Sequence, residues 1–206
     1  MKSSIVSYPN RGEWGDNKYR GNCTGHIIKD LLERFKPADG DFVEVFSGGG
    51  TGFSVARSMG YKNSLHLDLN GHFSDPFNSL TDELPQGSSL VFSHPPYHSM
   101  IKYSGNMWGE AHADDLSRCA SYEEFLHKLN TVNAKIYNSL KNGGRHATLV
   151  GDMRKNGVYY SIQKDMAWYG DLESHVIKAQ HNHMSENRQY NGNFIPIVHE
   201  HLLIFK

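Results

Sequence analysis

Cysteine is scarce in this chain: Cys23 and Cys119 are the only two among 206 residues. That excludes a disulfide framework and a four-thiolate zinc site, and it suits a reducing compartment. An excess of one charge sign is lacking too. Twenty-one basic side chains face 22 acidic ones, for a formal net charge of −1. The balance excludes a histone-like or polybasic binder, while leaving room for a local basic groove. No apolar run approaches the ~20 residues of a membrane span, and the N-terminal stretch has no signal-peptide core. A reduced, soluble, cytoplasmic protein is the expectation. Hydrophobic residues make up 38% of the chain and aromatics 12%. That is enough to bury a core without staples, and the length suits a single domain, 1–206, at ~100–200 residues per domain.

The pattern alternates between strand and helix. Residues 1–24 have no sustained period and read as an irregular lead-in. Ile27, Ile28, Leu31, Leu32 and Phe35 recur at helical spacing, and Pro37 ends the run. FVEVF (42–46) reads as a buried strand followed by SGGGTG (47–52), and 51–59 as a helix capped by Thr51. SLHLDLN (64–70) and LVFS (90–93) read as strands. The clearest helix begins at Ser121, where Ser121 and Glu124 form a capping box. Phe125, Leu129, Val132, Ile136 and Leu140 make its stripe, and Gly143 its stop. Residues 146–153, 174–180 and 197–206 read as strands, and 157–168 as a short helix. Such alternation predicts an α/β fold with a mostly parallel sheet covered by helices on both faces.

Two constellations carry chemistry. Glycines directly after a strand let the backbone turn tightly and approach a ligand closely, and an acid about 20 residues on can accept from ribose hydroxyls. Here Asp68 follows Gly48 by that interval, at the end of its strand. The pair points to a nucleoside cofactor. It is not a P-loop, since no Gly-Lys-Ser/Thr follows. The second constellation is HPPYH (94–98) after LVFS. Pro95 and Pro96 fix an extended backbone with carbonyls free to accept, and Tyr97 offers a flat ring. In open α/β sheets ligands bind outside the carboxyl ends of strands, where both motifs lie.

Taken together, VEVFSGGGTG, LHLDLN and FSHPPYHSMIKYS resemble the S-adenosylmethionine-dependent amino-methyltransferases of nucleic acids, whose loop usually reads Asp/Asn/Ser-Pro-Pro-aromatic. The resemblance implies the class-I methyltransferase (Rossmann-like) fold, a seven-stranded sheet with an antiparallel C-terminal strand. It implies that residues 1–37 embrace the cofactor and 38–206 form the core. The cofactor residues carried over are Tyr19, Gly21, Asn22, Thr24, Glu44, Phe46, Ser47, Gly48, Gly50, Thr51 and Asp68. His94, Pro95, Pro96 and Tyr97 would hold the flipped base, with His98, Lys102, Tyr103 and Arg154 touching substrate.

The implied reaction methylates an exocyclic base amine, with DNA adenine favoured over DNA cytosine and RNA. A catalytically impaired partner subunit that binds cofactor or nucleic acid is the alternative, because His94 departs from the family's usual first residue. If His94 is an acceptor it must be neutral, which sets an acid limit near its ordinary pKa of ~6.5. Lys102, Arg145, Arg154, Lys155 and Arg188 are candidates for phosphate contacts, and Trp108 for a substrate contact. Only 98–120 and 181–196 are free for specificity loops. A homodimer, a separate specificity subunit or relaxed recognition is therefore expected. His181 with His183, and His199 with His201, sit two apart, but without supporting ligands no metal is expected.

Overall fold

The computed structural model describes residues 1–181 and 193–206. Its first strand, β1 (Ile5–Ser7), is followed by helix α1 (Gly25–Phe35), strand β2 (Phe42–Val45), helix α2 (Thr51–Ser58), strand β3 (Leu65–Leu67) and strand β4 (Ser88–Ser93). Then come helix α3 (Tyr122–Ser139), strand β5 (Leu140–Val150), hairpin strands β6 (Met153–Lys155) and β7 (Val158–Tyr160), helix α4 (Ile162–Asp165), and strands β8 (Leu172–Ala179) and β9 (His199–Phe205). Among the described residues, seven strands make one sheet in the order β1-β8-β9-β5-β4-β2-β3. Strand β9 runs antiparallel to β5 and β8, and every other pairing in this sheet is parallel. This is the class-I methyltransferase fold.

Alternation along the strands divides the core into two layers. Phe42, Phe92, Leu149, Leu202 and Ile204 pack on one face with Ile27, Ile28, Leu31 and Leu32 of α1 and Val55 of α2. On the other face Val43, Val45 and Val91 meet Val132 and Ile136 of α3, while Val150, Leu203 and Phe205 meet Phe125, Leu129 and Ile162. Strand order reverses direction between β2 and β4, so a crevice opens at their carboxyl ends.

Four local expectations differ from the structure. The lead-in is not wholly irregular, because β1 pairs in parallel with β8. Helix α3 stops at Ser139 rather than Gly143, since Leu140 already pairs with Ser88. Residues 140–145 of β5 then bulge against 88–90 of β4, and Gly143 takes up the positive φ that this requires. Residues 153–160 form an antiparallel hairpin where a helix start was expected, leaving only Ile162–Asp165 helical. Finally, α2 is capped by Gly50 at φ 76 rather than by Thr51, which is its first helical residue.

At the start of α3, Ser121 Oγ accepts from Glu124 N at 3.1 Å, and Glu124 reaches back to Ala120 N at 2.8 Å. Leu129→Ala, at a fully buried site, should lower stability in urea by about 2–5 kcal/mol. Ser121→Ala removes only the cap and should cost about 1 kcal/mol in the same titration.

Candidate active site

Strands β2 and β4 pair with Val45 opposite Ser93, so their loops leave side by side. His94 N donates to Val45 O at 3.4 Å. Both loops leave through strained backbone: Phe46 has φ 65 and His98 φ 47, conformations that such side chains rarely adopt.

The glycine loop turns toward the N-terminal segment. Asp16 N donates to Gly49 O at 3.1 Å, and Gly49 N to Asn22 Oδ1 at 3.1 Å. A Cβ on Gly49 would lie 2.5 Å from Asn22 Nδ2 and 2.6 Å from Tyr19 Cβ, so only glycine admits this contact. Across the crevice, the Asp68 carboxylate accepts from Gly48 N at 2.8 Å and Asn70 N at 2.9 Å. Burial raises its carboxyl above the ordinary range, against the pull of those two N–H groups. Each oxygen retains a lone pair for a further donor.

A cavity open to solvent lies over this floor. Its walls include Tyr19, Gly21, Asn22, Phe46, Gly48 and Asp68. The 98–120 segment closes over it with Tyr103, Trp108, Asp115 and Leu116. Asp115 anchors that cover by accepting from Ser104 N, Ser104 Oγ and Ser117 N at 2.6–2.8 Å. A second open cavity lies beside the first and is lined by Thr24, Pro95, Tyr97, Lys178 and Glu200 among others. His94, Gly21, Asn22 and Tyr103 belong to both walls. Pro96 lines the first cavity.

His94 is held by a buried chain of hydrogen bonds. The Tyr97 hydroxyl donates its one proton to Glu200 Oε1 at 2.6 Å, and His94 Nε2 lies 3.0 Å from the same hydroxyl oxygen. Nε2 must then carry a hydrogen, which makes Nδ1 the ring's acceptor. Glu200 is in turn paired with Lys178. Burial works against the Glu200 carboxylate, but Lys178 holds it below the usual range. Burial and Glu200 raise the Tyr97 hydroxyl, and burial pushes the His94 imidazole down to about 4. The acid limit expected near ~6.5 moves down accordingly.

Other expected site residues lie elsewhere. Glu44 is buried under the loop, 2.6 Å from His66 Nδ1, where a Cβ on Gly52 would strike it. Ser47 and Thr51 are buried and line neither cavity, and Gly50 packs against Phe73. The left-handed turn at His98 sends its ring onto Tyr122 and Phe125, away from both cavities. Lys102 is exposed outside them. Arg154 stacks on Phe194 and Tyr159 at a third cavity, which Tyr97 also lines. Lys155 donates to Ser99, and Arg145 grips Glu173 at the opposite end of the sheet. His183 and Arg188 lie outside the described residues.

Sequence reasoning missed Lys178, Glu200 and Asp115. A glutamate at an inward position of the apolar strand HEHLLIF is the signal that points to the first two.

No protein-family model matches the chain, and no curated protein matches it. Solved structures do. One from Thermus thermophilus, named a DNA modification methylase, is 18% identical over 79% of this chain and 50% of its own, with a TM-score of 0.42. TrmN from Thermus thermophilus is 14% identical over 90% and 49%, at 0.46. An S-adenosylmethionine-dependent methyltransferase from Listeria monocytogenes is 11% identical over 87% and 97%, at 0.45. The chain spans about half the length of the first two. Among the described residues no helix is long and apolar enough to cross a membrane.

His94 has a buried counterpart in His146, which is 2.7 Å from Ser93 Oγ and is pushed by burial to about 3. Both stay neutral in the fold, while the unfolded imidazole titrates near ~6.5. Their contribution to stability is therefore complete above that pH and is lost as pH falls toward 4 and then 3. The loss should be about 1.4 kcal/mol per pH unit for each group. Urea midpoints at pH 7 and pH 5 measure it, and His146→Gln should flatten the slope. Equal midpoints for the parent would remove the neutral-histidine assignment.

Proposed function

We propose that the protein transfers a methyl group from S-adenosylmethionine to the exocyclic amine of a nucleic-acid base, with DNA adenine the leading substrate. The observation that carries this reading is His94, a neutral acceptor on the wall shared by two adjoining cavities. One is floored by a glycine loop with an acid in register, and the other is faced by Pro95 and Tyr97.

The first cavity suits the cofactor by its donor set. Asp68 offers carboxylate lone pairs to ribose hydroxyls, and Phe77, Trp108 and Leu116 offer apolar surface to an adenine ring. Asn22, Thr24 and Arg11 border the second cavity where the N-terminal segment meets the loop. Arg11 Nε has no hydrogen-bond partner among the described residues, which suits the methionine carboxylate. When bound, the cofactor supplies an electrophilic methyl group on a sulfonium.

The chain's own work is alignment. The target base leaves the stack, as it must for its amine to be reached. His94 Nδ1 and the Pro95 carbonyl accept the two amine hydrogens and so fix the direction of the nitrogen lone pair. Tyr97 offers its ring to the base, held from behind through its hydroxyl by Glu200. No covalent enzyme intermediate is required. The 98–120 segment lends side chains to both cavities, Trp108, Asp115 and Leu116 to the first and Met100 and Ile101 to the second, which leaves less of it for the ~1,000–2,500 Å² of a specific DNA complex. A second copy or a specificity subunit would supply the remainder.

Tritium transfer from labelled cofactor into DNA and RNA, followed by nucleoside analysis, tests the reaction. Cofactor binding without transfer to either polymer would sink it. Asp68→Ala should lose about 2–4 kcal/mol of S-adenosylhomocysteine binding in calorimetry, with folding checked by circular dichroism. His94→Ala should lose far more rate than cofactor affinity, while His94→Asn keeps an acceptor and measurable activity. Because His94 titrates near 4, the parent's rate should vary little through this group between pH 8 and about pH 5. A His94→Ala variant as fast as the parent would shift the role to the Pro95 carbonyl.

A further inference from the structure

Strand β9 carries a second set of chemically capable side chains on the face opposite Glu200. Its alternation brings His199 and His201 to one side, with ring centroids 4.9 Å apart. Strand β5 pairs with β9 at Val150 opposite His201, and continuing that antiparallel register sets Asp152 beside His199. One ligand atom from each of Asp152, His199 and His201 lies within 4.8 Å of the others.

Two of these groups each bury one unpartnered atom. His201 and Asp152 are 8% and 7% exposed, and His201 Nε2 and Asp152 Oδ1 have no hydrogen-bond partner among the described residues. His201 Nε2 stands 3.6 Å from Asp152 Oδ2, too far for a hydrogen bond. Buried polar atoms are rarely left so, and an ion is one thing that satisfies a nitrogen and a carboxylate together. The other side-chain atoms of His201 and Asp152 are already engaged in ways that suit metal ligation. His201 Nδ1 is 2.9 Å from His175 Nε2, and the Tyr159 hydroxyl donates to Asp152 Oδ2 at 2.7 Å. When the Nδ1 hydrogen of His201 goes to His175, the Nε2 lone pair is left facing Asp152. Outer partners of this kind fix the tautomer of a ligating histidine and orient a ligating carboxylate.

We propose that Asp152, His199 and His201 bind a divalent transition metal, zinc being the best match to two imidazoles and one carboxylate. Tetrahedral zinc with bonds of roughly 2.0–2.2 Å needs ligand atoms roughly 3.3 Å apart, so small side-chain rotations close the present spread. Three protein ligands leave the fourth position to water. The ion would tie the end of β5 to the start of β9 and, through Tyr159, to the β6–β7 hairpin. Two features of the active site abut that junction. A Cβ on Gly151, next to Asp152, would strike the Tyr97 ring, and Glu200 stands between the two histidines on the strand. The ion would sit behind the base-holding loop, where Asp152 and His199 line the third cavity with Tyr97, and outside the two cavities of the proposed methyl transfer.

The test uses tag-free full-length protein dialysed against micromolar zinc and then metal-free buffer. Bound zinc is counted by mass spectrometry, and cobalt substitution gives an independent visible spectrum. The parent should retain about one zinc per chain, melt higher with zinc than after chelation, and give the intense visible bands of tetrahedral cobalt. His199→Gln and Asp152→Asn should each weaken zinc binding at least tenfold and abolish the cobalt bands. His181→Gln, a histidine outside the cluster beside Ser7, should retain the ion. No zinc retained by the folded parent would overturn the site, as would equal retention in His199→Gln and Asp152→Asn.

Discussion

The parallel pairing of β2 with β4 is the constraint from which the rest of the molecule follows. Because Val45 stands opposite Ser93, the glycine loop and the Pro-Pro loop begin at neighbouring points on one rim. The switch in strand order opens the crevice between them, and α1 and α2 on one face and α3 on the other bury both strands. The loops cannot separate without breaking the ladder at the centre of the sheet. Their strained exits are held by packing on the α3 side, Phe46 against the buried cluster there and His98 on Tyr122 and Phe125.

A buried charge pair carries that rigidity into the second cavity. Lys178 on β8 and Glu200 on β9 come from the antiparallel pair, so their contact depends on the late strands folding back along the sheet. Burying two ions costs several kcal/mol each before their attraction offsets it. What the pair provides is a fixed acceptor for the Tyr97 hydroxyl. Through Tyr97 it also sets which nitrogen of His94 carries hydrogen. The tautomer of one residue on the β4 loop is thus decided by residues far along the chain, since Tyr97 and Glu200 stand 103 positions apart.

Much of the fold is legible in the sequence, because hydrophobic period and punctuation act locally. The stripe Phe125–Leu129–Val132–Ile136 and the Ser121 cap identify α3, and the strand before SGGGTG identifies β2. The failures have particular causes. Residues 157–168 carry apolar side chains at mixed spacing, and the β6–β7 turn at Asn156 and Gly157 draws Val158–Tyr160 into a hairpin, leaving Ile162–Asp165 helical. β1 is three residues long and gains its state only from β8. Leu140 has the helical period yet pairs with Ser88, since the ladder outweighs local propensity. Spacing likewise shows a histidine before Pro-Pro, but cannot show that His98 turns its ring onto α3 or that Arg145 lies at the far rim.

By itself, the sequence determined the alternation of strand and helix, the glycine turn and the rigid Pro-Pro segment. It also set the interval between Gly48 and Asp68, because these depend on steric preferences within a few residues. Only the tertiary structure decided that His94 stands between two cavities, neutral and donating through Nε2. It alone brought Glu200 to Tyr97, and Asp152 to His199 and His201. Those decisions rest on contacts between strands distant in the chain. Burial and partner geometry set them, and neither is written in any local run of residues.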